Sequence, residues 1–175
     1  MKALKKAFPV ILVTVVVFIA TVSLAFTDAG TRDMIEYQRE RRFLAMLEEI
    51  FPDLTRFTEN DIYTIYIDEA EVGHAFRAVG RGFAGPIVIL VGLEDAITIR
   101  GIAIISHRET PGLGDRVTEP DFTDQFAGLY VGDVALRRDG GKIDAITGAT
   151  ISARAVADAV RATAEEKARG SEGER

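Results

Sequence analysis

The apolar residues of this chain change their spacing three times. The first block is continuous. Phe8 to Phe26 carries no charge, Lys2, Lys5 and Lys6 stand before it, and the next charged residue is Asp28. As a helix this block is roughly 28 Å long, close to the ~30 Å hydrocarbon core of a bilayer. It predicts a single transmembrane helix with the lysines inside and the rest of the chain outside. Pro9 falls in the first turn, where proline is tolerated. The alternative is a cleaved signal peptide. Its apolar region is usually about 7–15 residues, shorter than this block, although Ser23 and Ala25 are small enough for cleavage.

From Thr31 to Phe51 the spacing becomes helical. Met34, Ile35, Phe43, Leu44, Leu47, Ile50 and Phe51 mostly recur at three and four, which predicts an amphipathic helix with Thr31 as N-cap and Pro52 as its stop. Beyond it the period shortens. Ile62–Asp68, Gly73–Gly80, Gly85–Leu93 and Ala96–Ser106 are short runs rich in β-branched and aromatic residues, separated by turn-like "DEAE", "RGFA" and "ED". They predict an antiparallel meander, whose last strand sets Ile97, Ile99, Gly101, Ala103 and Ile105 on one face.

His107–Val117 reads as loop, since Pro111 holds Thr110 extended. A short helix is expected from Pro120, and a hairpin turning at Asp139-Gly140-Gly141. The last helix follows, with Ile151, Ala155, Ala159 and Val160 as its apolar stripe. The fold class is α+β: an N-terminal transmembrane helix, then a curved antiparallel sheet flanked by helices. The expected boundaries are 1–27 for the anchor, 28–53 for a linker helix, 54–168 for the folded domain and 169–175 for a disordered tail.

Charge sharpens this layout. All 27 Asp and Glu lie beyond Thr27, with only 18 of the 21 Lys and Arg. So acidic a domain is poorly suited to nucleic acid or to an anionic membrane surface, and the helix must do the anchoring. There is no cysteine, which excludes disulfides, thiol chemistry and cysteine-ligated clusters within the chain. The only histidines are His74 and His107, which speaks against a zinc site; no metal is expected.

The candidate chemistry lies in "DAITGATISARAV", Asp144–Val156. A strand-like end at Ile146 feeds a Thr147-Gly148-Ala149 turn, and a helix follows. Free N–H groups and the positive end of the helix dipole meet there, so an anion is welcome. Thr147, Thr150 and Ser152 add hydroxyls. A plain N-cap and a phosphate site both fit these residues. The spacings of a P-loop, a dinucleotide fingerprint and a catalytic triad are absent.

Asp144-Ala-Ile-Thr147-Gly148-Ala149-Thr150 resembles the flavinylation signature D-x-x-[ST]-G-A-[TS] of the FMN-binding domain family. A second stretch, His107-Arg-Glu109-Thr110-Pro-Gly112-Leu113-Gly114, resembles the family's H-x-E-T-P-G-L-G loop, which lies against the flavin. "FAGPIVILVGLE" resembles the strand before it. Two motifs in the expected order behind a membrane anchor make the resemblance specific, over roughly residues 70 to 165. It implies FMN bonded by a phosphoester to Thr150, attached by a flavin transferase that uses FAD. It also implies that Thr110 and Leu113 line the ring, and that Gly112 and Gly114 let the backbone approach it.

The remaining candidates keep two readings each. His107 is a turn residue or a support for the flavin loop. Glu109 is a solvated acid or a clamp of Thr110 and the backbone. Tyr63, Tyr66 and Phe83 are core or flavin neighbours. Arg137, Arg138 and Lys142 are a solvated face or a balance for phosphate. Asp144 caps the turn before Thr147 or is read by the transferase. His74 is expected to be structural.

The family includes one component of the Rnf ion-translocating complex and a longer component of the sodium-pumping NADH:quinone oxidoreductase. The resemblance therefore implies an electron-transfer subunit in the cytoplasmic membrane, with its C-terminal domain outside. It would relay electrons between ferredoxin- and NAD-linked partners, coupled to ion movement. The alternatives are a stand-alone extracytoplasmic flavoprotein reductase, the related component of the sodium-pumping NADH:quinone oxidoreductase, and a non-redox assembly module.

Overall fold

The computed structural model describes the backbone of residues 2–59 and 62–172, and side chains at 12–24, 37–58 and 62–169. Helix α1 spans Lys2–Ile50, so Thr31 lies inside a helix and does not cap one. The chain divides into two compact units, Met1–Phe43 and Leu44–Arg175. The described side chains 12–24 of the first unit are exposed. The expected span Phe8–Phe26 lies partly outside the described side chains. Among the described residues no helix is long and apolar enough to cross a membrane.

The second unit is built on a five-stranded antiparallel meander in the order β1-β2-β3-β4-β5. The strands are β1 (Arg56–Glu59), β2 (Tyr63–Ile67), β3 (Ala70–Arg81), β4 (Pro86–Leu93) and β5 (Ile99–Ser106). β1 was not expected from the sequence: "RFTE" is short, with one apolar residue, and pairs only along one edge.

The inner face carries Phe76 and Ala78, Ile87, Ile89, Val91 and Leu93, and Ile99, Ile102 and Ile104. The sequence reading of β5 has its face half wrong. Leu93 pairs with Ile99 but Gly92 pairs with Gly101, so Arg100 is an extra residue in a bulge and the alternation slips by one. Ile102 and Ile104 therefore point inward, while Ile97 is exposed.

Helix α3 (Thr150–Glu172) covers the inner face with Ala153, Val156, Ala157, Val160 and Ala164. This stripe is displaced from the expected one, because Ile151 is half exposed and Ala155 packs its carbonyl over Gly80 of β3. A Cβ at Gly80 would meet that carbonyl directly, so glycine sets how closely helix and sheet approach. The helix continues to Glu172, and the end of the expected tail, 173–175, lies outside the described residues.

On the outer face Ala75, Gly92 and Gly101 are register partners. They form a trough of small residues across three strands. Ile50 and Phe51 fill it, reaching to within van der Waals distance of Gly92 and Gly101. Arg100 closes the contact, donating to the Ile50 carbonyl at 3.1 Å and lying 5.1 Å over the Phe51 ring.

Between β5 and α3 the chain wraps the open end of the core through α2 (Pro120–Thr123) and several 3₁₀ turns. Phe122 and Phe126 meet edge to face at 5.5 Å. The expected hairpin at 139–141 does not form. Arg137–Asp139 is a 3₁₀ turn ending on left-handed Gly140, and Leu136 and Ile143 bridge in parallel. Gly141 lies against the Ala135 carbonyl, and this close approach curls the segment into a loop.

Candidate functional site

The expected motifs converge on one cleft of about 310 Å³. Three chain segments wall it. The β3–β4 turn contributes Phe83. The loop after β5 contributes Glu109, Thr110, Leu113 and Gly114. The approach to α3 contributes Gly148 to Ser152.

The helix start is formed by its own residues. The Ala149 N–H donates to the Ile146 carbonyl at 3.0 Å, and the Ala149 carbonyl accepts from the Ala153 N–H at 3.0 Å. Gly148 between them has φ +82°, a left-handed conformation that costs any other residue about 1–2 kcal/mol. Thr150 is therefore the first helical residue, not the cap. Among the described residues, neither Thr150 nor Thr147 makes a side-chain hydrogen bond. Thr150 lines the cleft, and the first N–H groups of α3 have no partner within the helix.

Glu109 and Ser152 are the only buried polar side chains among the described residues. The Ser152 hydroxyl donates to Glu109 Oε2 at 2.6 Å, and the Ala84 N–H donates to Oε1 at 3.1 Å. Glu109 is thus a clamp of the Ala84 backbone and of Ser152, not a solvated acid. The carboxyl lies between Gly82 and Gly114, neither of which leaves room for a Cβ. His107 supports this loop by accepting the Glu109 N–H at Nδ1, 3.2 Å away. The roles of Ser152 and Gly82 were missed in the sequence. An acid in a glycine-containing loop and a serine in the first turn of the next helix are a faint signal.

The cleft is largely apolar at its mouth. Phe83 is 72% exposed, Ile151 53% and Leu113 50%. Of the three aromatic candidates only Phe83 reaches it. Tyr63 is buried, and Tyr66 lies under Arg56 at 4.6 Å.

Several expected site residues lie elsewhere. Asp144 and Thr147 line a second hollow of about 170 Å³, on the other side of the Thr147–Ala149 turn. Asp144 accepts from Arg137 at 2.7 Å, and its N–H donates to Gln125 at 2.6 Å. Gly112, with φ +76°, is at the loop tip and outside the cleft lining. Arg138 and Lys142 pair with Asp139 and Asp133. Among the described residues no Lys or Arg lines the cleft, so an anion there relies on the backbone N–H groups of α3. His74 stands next to Glu71 at 3.4 Å, on β3 and away from the cleft.

Comparison with known proteins places this geometry. The model of the FMN-binding domain family matches residues 82–165, a range that contains all three walls. The chain is 34% identical to the G subunit of the ion-translocating oxidoreductase complex of Methanosarcina acetivorans, over 86% of this chain and 89% of that one. It is 32% identical to the protein of the same name from Pseudoalteromonas atlantica, over 81% and 78%. Two solved structures share the fold at 24% identity and TM-score 0.51. One is Shewanella oneidensis NqrC, covering 69% of this chain and 71% of that one. The other is the C subunit of the Na⁺-translocating NADH-quinone reductase of Parabacteroides distasonis, covering 58% and 57%.

Proposed function

This chain belongs to the family of ion-translocating oxidoreductase complex G subunits, and on that premise we propose that it is an FMN-carrying electron-transfer subunit of such a complex. FMN supplies the redox chemistry. The protein supplies attachment, orientation and shielding. The observation that carries the reading is Thr150, without a side-chain hydrogen bond, at the start of α3 and in the lining of a cleft with an apolar mouth.

The residues present fit the group. The cleft is within the usual range of ligand sites, about 300–1,000 Å³. The exposed Phe83, Leu113 and Ile151 are surfaces that a planar ring would cover. The N–H groups of α3 suit a phosphodiester at Thr150. Four hydroxyls compete for attachment, those of Thr110, Thr147, Thr150 and Ser152, and their surroundings separate them. Ser152 is buried and given to Glu109. Thr147 faces the second hollow. Thr110 and Thr150 both line the cleft with no side-chain hydrogen bond, and of the two Thr150 stands at the start of α3, where free N–H groups suit a phosphate.

Attachment by a flavin transferase would join the Thr150 oxygen to the FMN phosphorus of FAD, break the phosphoanhydride bond, and release AMP and the hydroxyl proton. Asp144, on the far side of the turn, is then a residue for the transferase to read.

The uncharged Phe8–Phe26, with lysines before it, serves as a membrane anchor that leaves the domain outside the cytoplasm. The partners are the other membrane subunits, relaying electrons between ferredoxin- and NAD-linked carriers. The test is co-expression with a flavin transferase, followed by denaturing electrophoresis. A fluorescent band is expected from the natural chain and none from Thr150→Ala. Equal fluorescence in both would reassign the attachment point.

A further inference from the structure

We propose that Glu109 is a positioning residue, a single carboxyl that fixes the three walls of the cleft at the spacing that holds the flavin ring. This rests on the flavin reading above. The walls come from separate parts of the chain, and Glu109 touches each one. Its Oε1 accepts from Ala84 of the β3–β4 turn, its Oε2 accepts from Ser152 of α3, and its own backbone belongs to the loop after β5. Every one of these points is next to a residue that faces the cleft. Phe83 precedes Ala84, Ile151 precedes Ser152, and Thr110 follows Glu109. Fixing the carboxyl therefore fixes the side chains on which the ring rests.

The tie is tight as well as central. Glu109 is only 6% exposed. At Gly114 an added Cβ would lie 2.5 Å from Oε2, and Gly82 closes the other side. The carboxyl cannot swing without moving a wall.

Both partners donate, which gives the proposal a discriminating variant. In Glu109→Gln the amide oxygen can accept from Ala84, and the amide nitrogen can donate to Ser152, whose hydroxyl reverses. The geometry of the tie is kept and the charge is removed. Ser152→Ala and Glu109→Ala break it.

The test uses the full chain carrying flavin, read by visible circular dichroism, flavin fluorescence anisotropy and hydrogen exchange. Glu109→Gln should match the natural chain. Ser152→Ala and Glu109→Ala should keep one FMN per chain but lose flavin dichroism and anisotropy. Their amides at 82–85 and 107–114 should exchange about tenfold faster together, as loss of one buried hydrogen bond implies. Ser152→Ala preserves the test if Glu109→Ala does not fold. A Glu109→Gln as loose as Glu109→Ala would overturn the proposal, as would Ser152→Ala with unchanged flavin signals. A natural chain without flavin would instead overturn the proposed function. Exchange in the flavin-free protein would then still decide whether Glu109 ties the walls.

Discussion

Gly114→Ala adds one methyl group at the most crowded point of the site. The new Cβ would stand 2.5 Å from Glu109 Oε2, 2.9 Å from Glu109 Cβ and 3.1 Å from Ser152 Oγ. Relief to ordinary contact needs most of an ångström. The carboxyl has no free direction in which to move, because the Ala84 N–H and Gly82 close its other side. Overpacking of this kind costs about 1–3 kcal/mol. If the Ser152 bond breaks, a buried acceptor loses its donor at a further ~1–3 kcal/mol. The sum, about 2–6 kcal/mol, is a large part of an ordinary domain's 5–15 kcal/mol or so. It corresponds to a fall in Tm on the order of 10 °C. The control is Gly132→Ala, where an added Cβ meets nothing within 4 Å and the expected change is under about 0.5 kcal/mol. Thermal and urea unfolding of the two variants measures the difference. Equal stability of Gly114→Ala and Gly132→Ala would refute the view that Glu109 is wedged.

Gly148→Ala separates backbone strain from crowding. Its Cβ would sit 3.7 Å from Leu113, an ordinary contact, but at φ +82°, so the chain should fold with a loss of about 1–2 kcal/mol. The turn presenting Thr150 is then strained, and flavin incorporation, followed by fluorescence over time, should slow. Asp95 gives a pH test. The Ile97 N–H foremost holds its carboxyl below the usual range; desolvation, next in size, opposes it, and the Thr98 hydroxyl and N–H add to the lowering. A depressed folded pKa stabilises above the unfolded value of about 3.9, and that stability is lost as pH falls through the folded one. The Tm gap between the natural chain and Asp95→Ala should therefore be present at pH 6 and narrow as pH falls below about 3.9. A gap independent of pH would contradict this.

Long periodic segments were legible in the sequence. β2 to β5, the Pro120 helix and α3 all show in spacing or in start signals, and all but β2 place apolar residues in one continuous core. What failed is local. β1 offers four residues and one apolar side chain, too little for a period. β5 changes face at Arg100 because of a bulge that only pairing with Gly92 and Leu93 reveals. "DGG" between apolar runs signals a hairpin, but close backbone contact at Gly141 turned it into a loop. In the site, the two motifs located the cleft, and Thr110, Leu113, Gly148, Ala149 and Thr150 do meet there. Asp144 and Thr147 do not, because the turn at Gly148 places them on its other side. The burial of Glu109 was illegible for a general reason: an acid in a polar loop looks solvated until its partners, 25 and 43 residues away, are known.

The most direct measurement is the intact mass of the chain after expression with a flavin transferase. The natural chain should be heavier than its sequence by one FMN less one water, and peptide mapping should place that mass on Thr150. Thr150→Ala should have its sequence mass. No added mass on the natural chain, or the same addition on Thr150→Ala, would contradict the account.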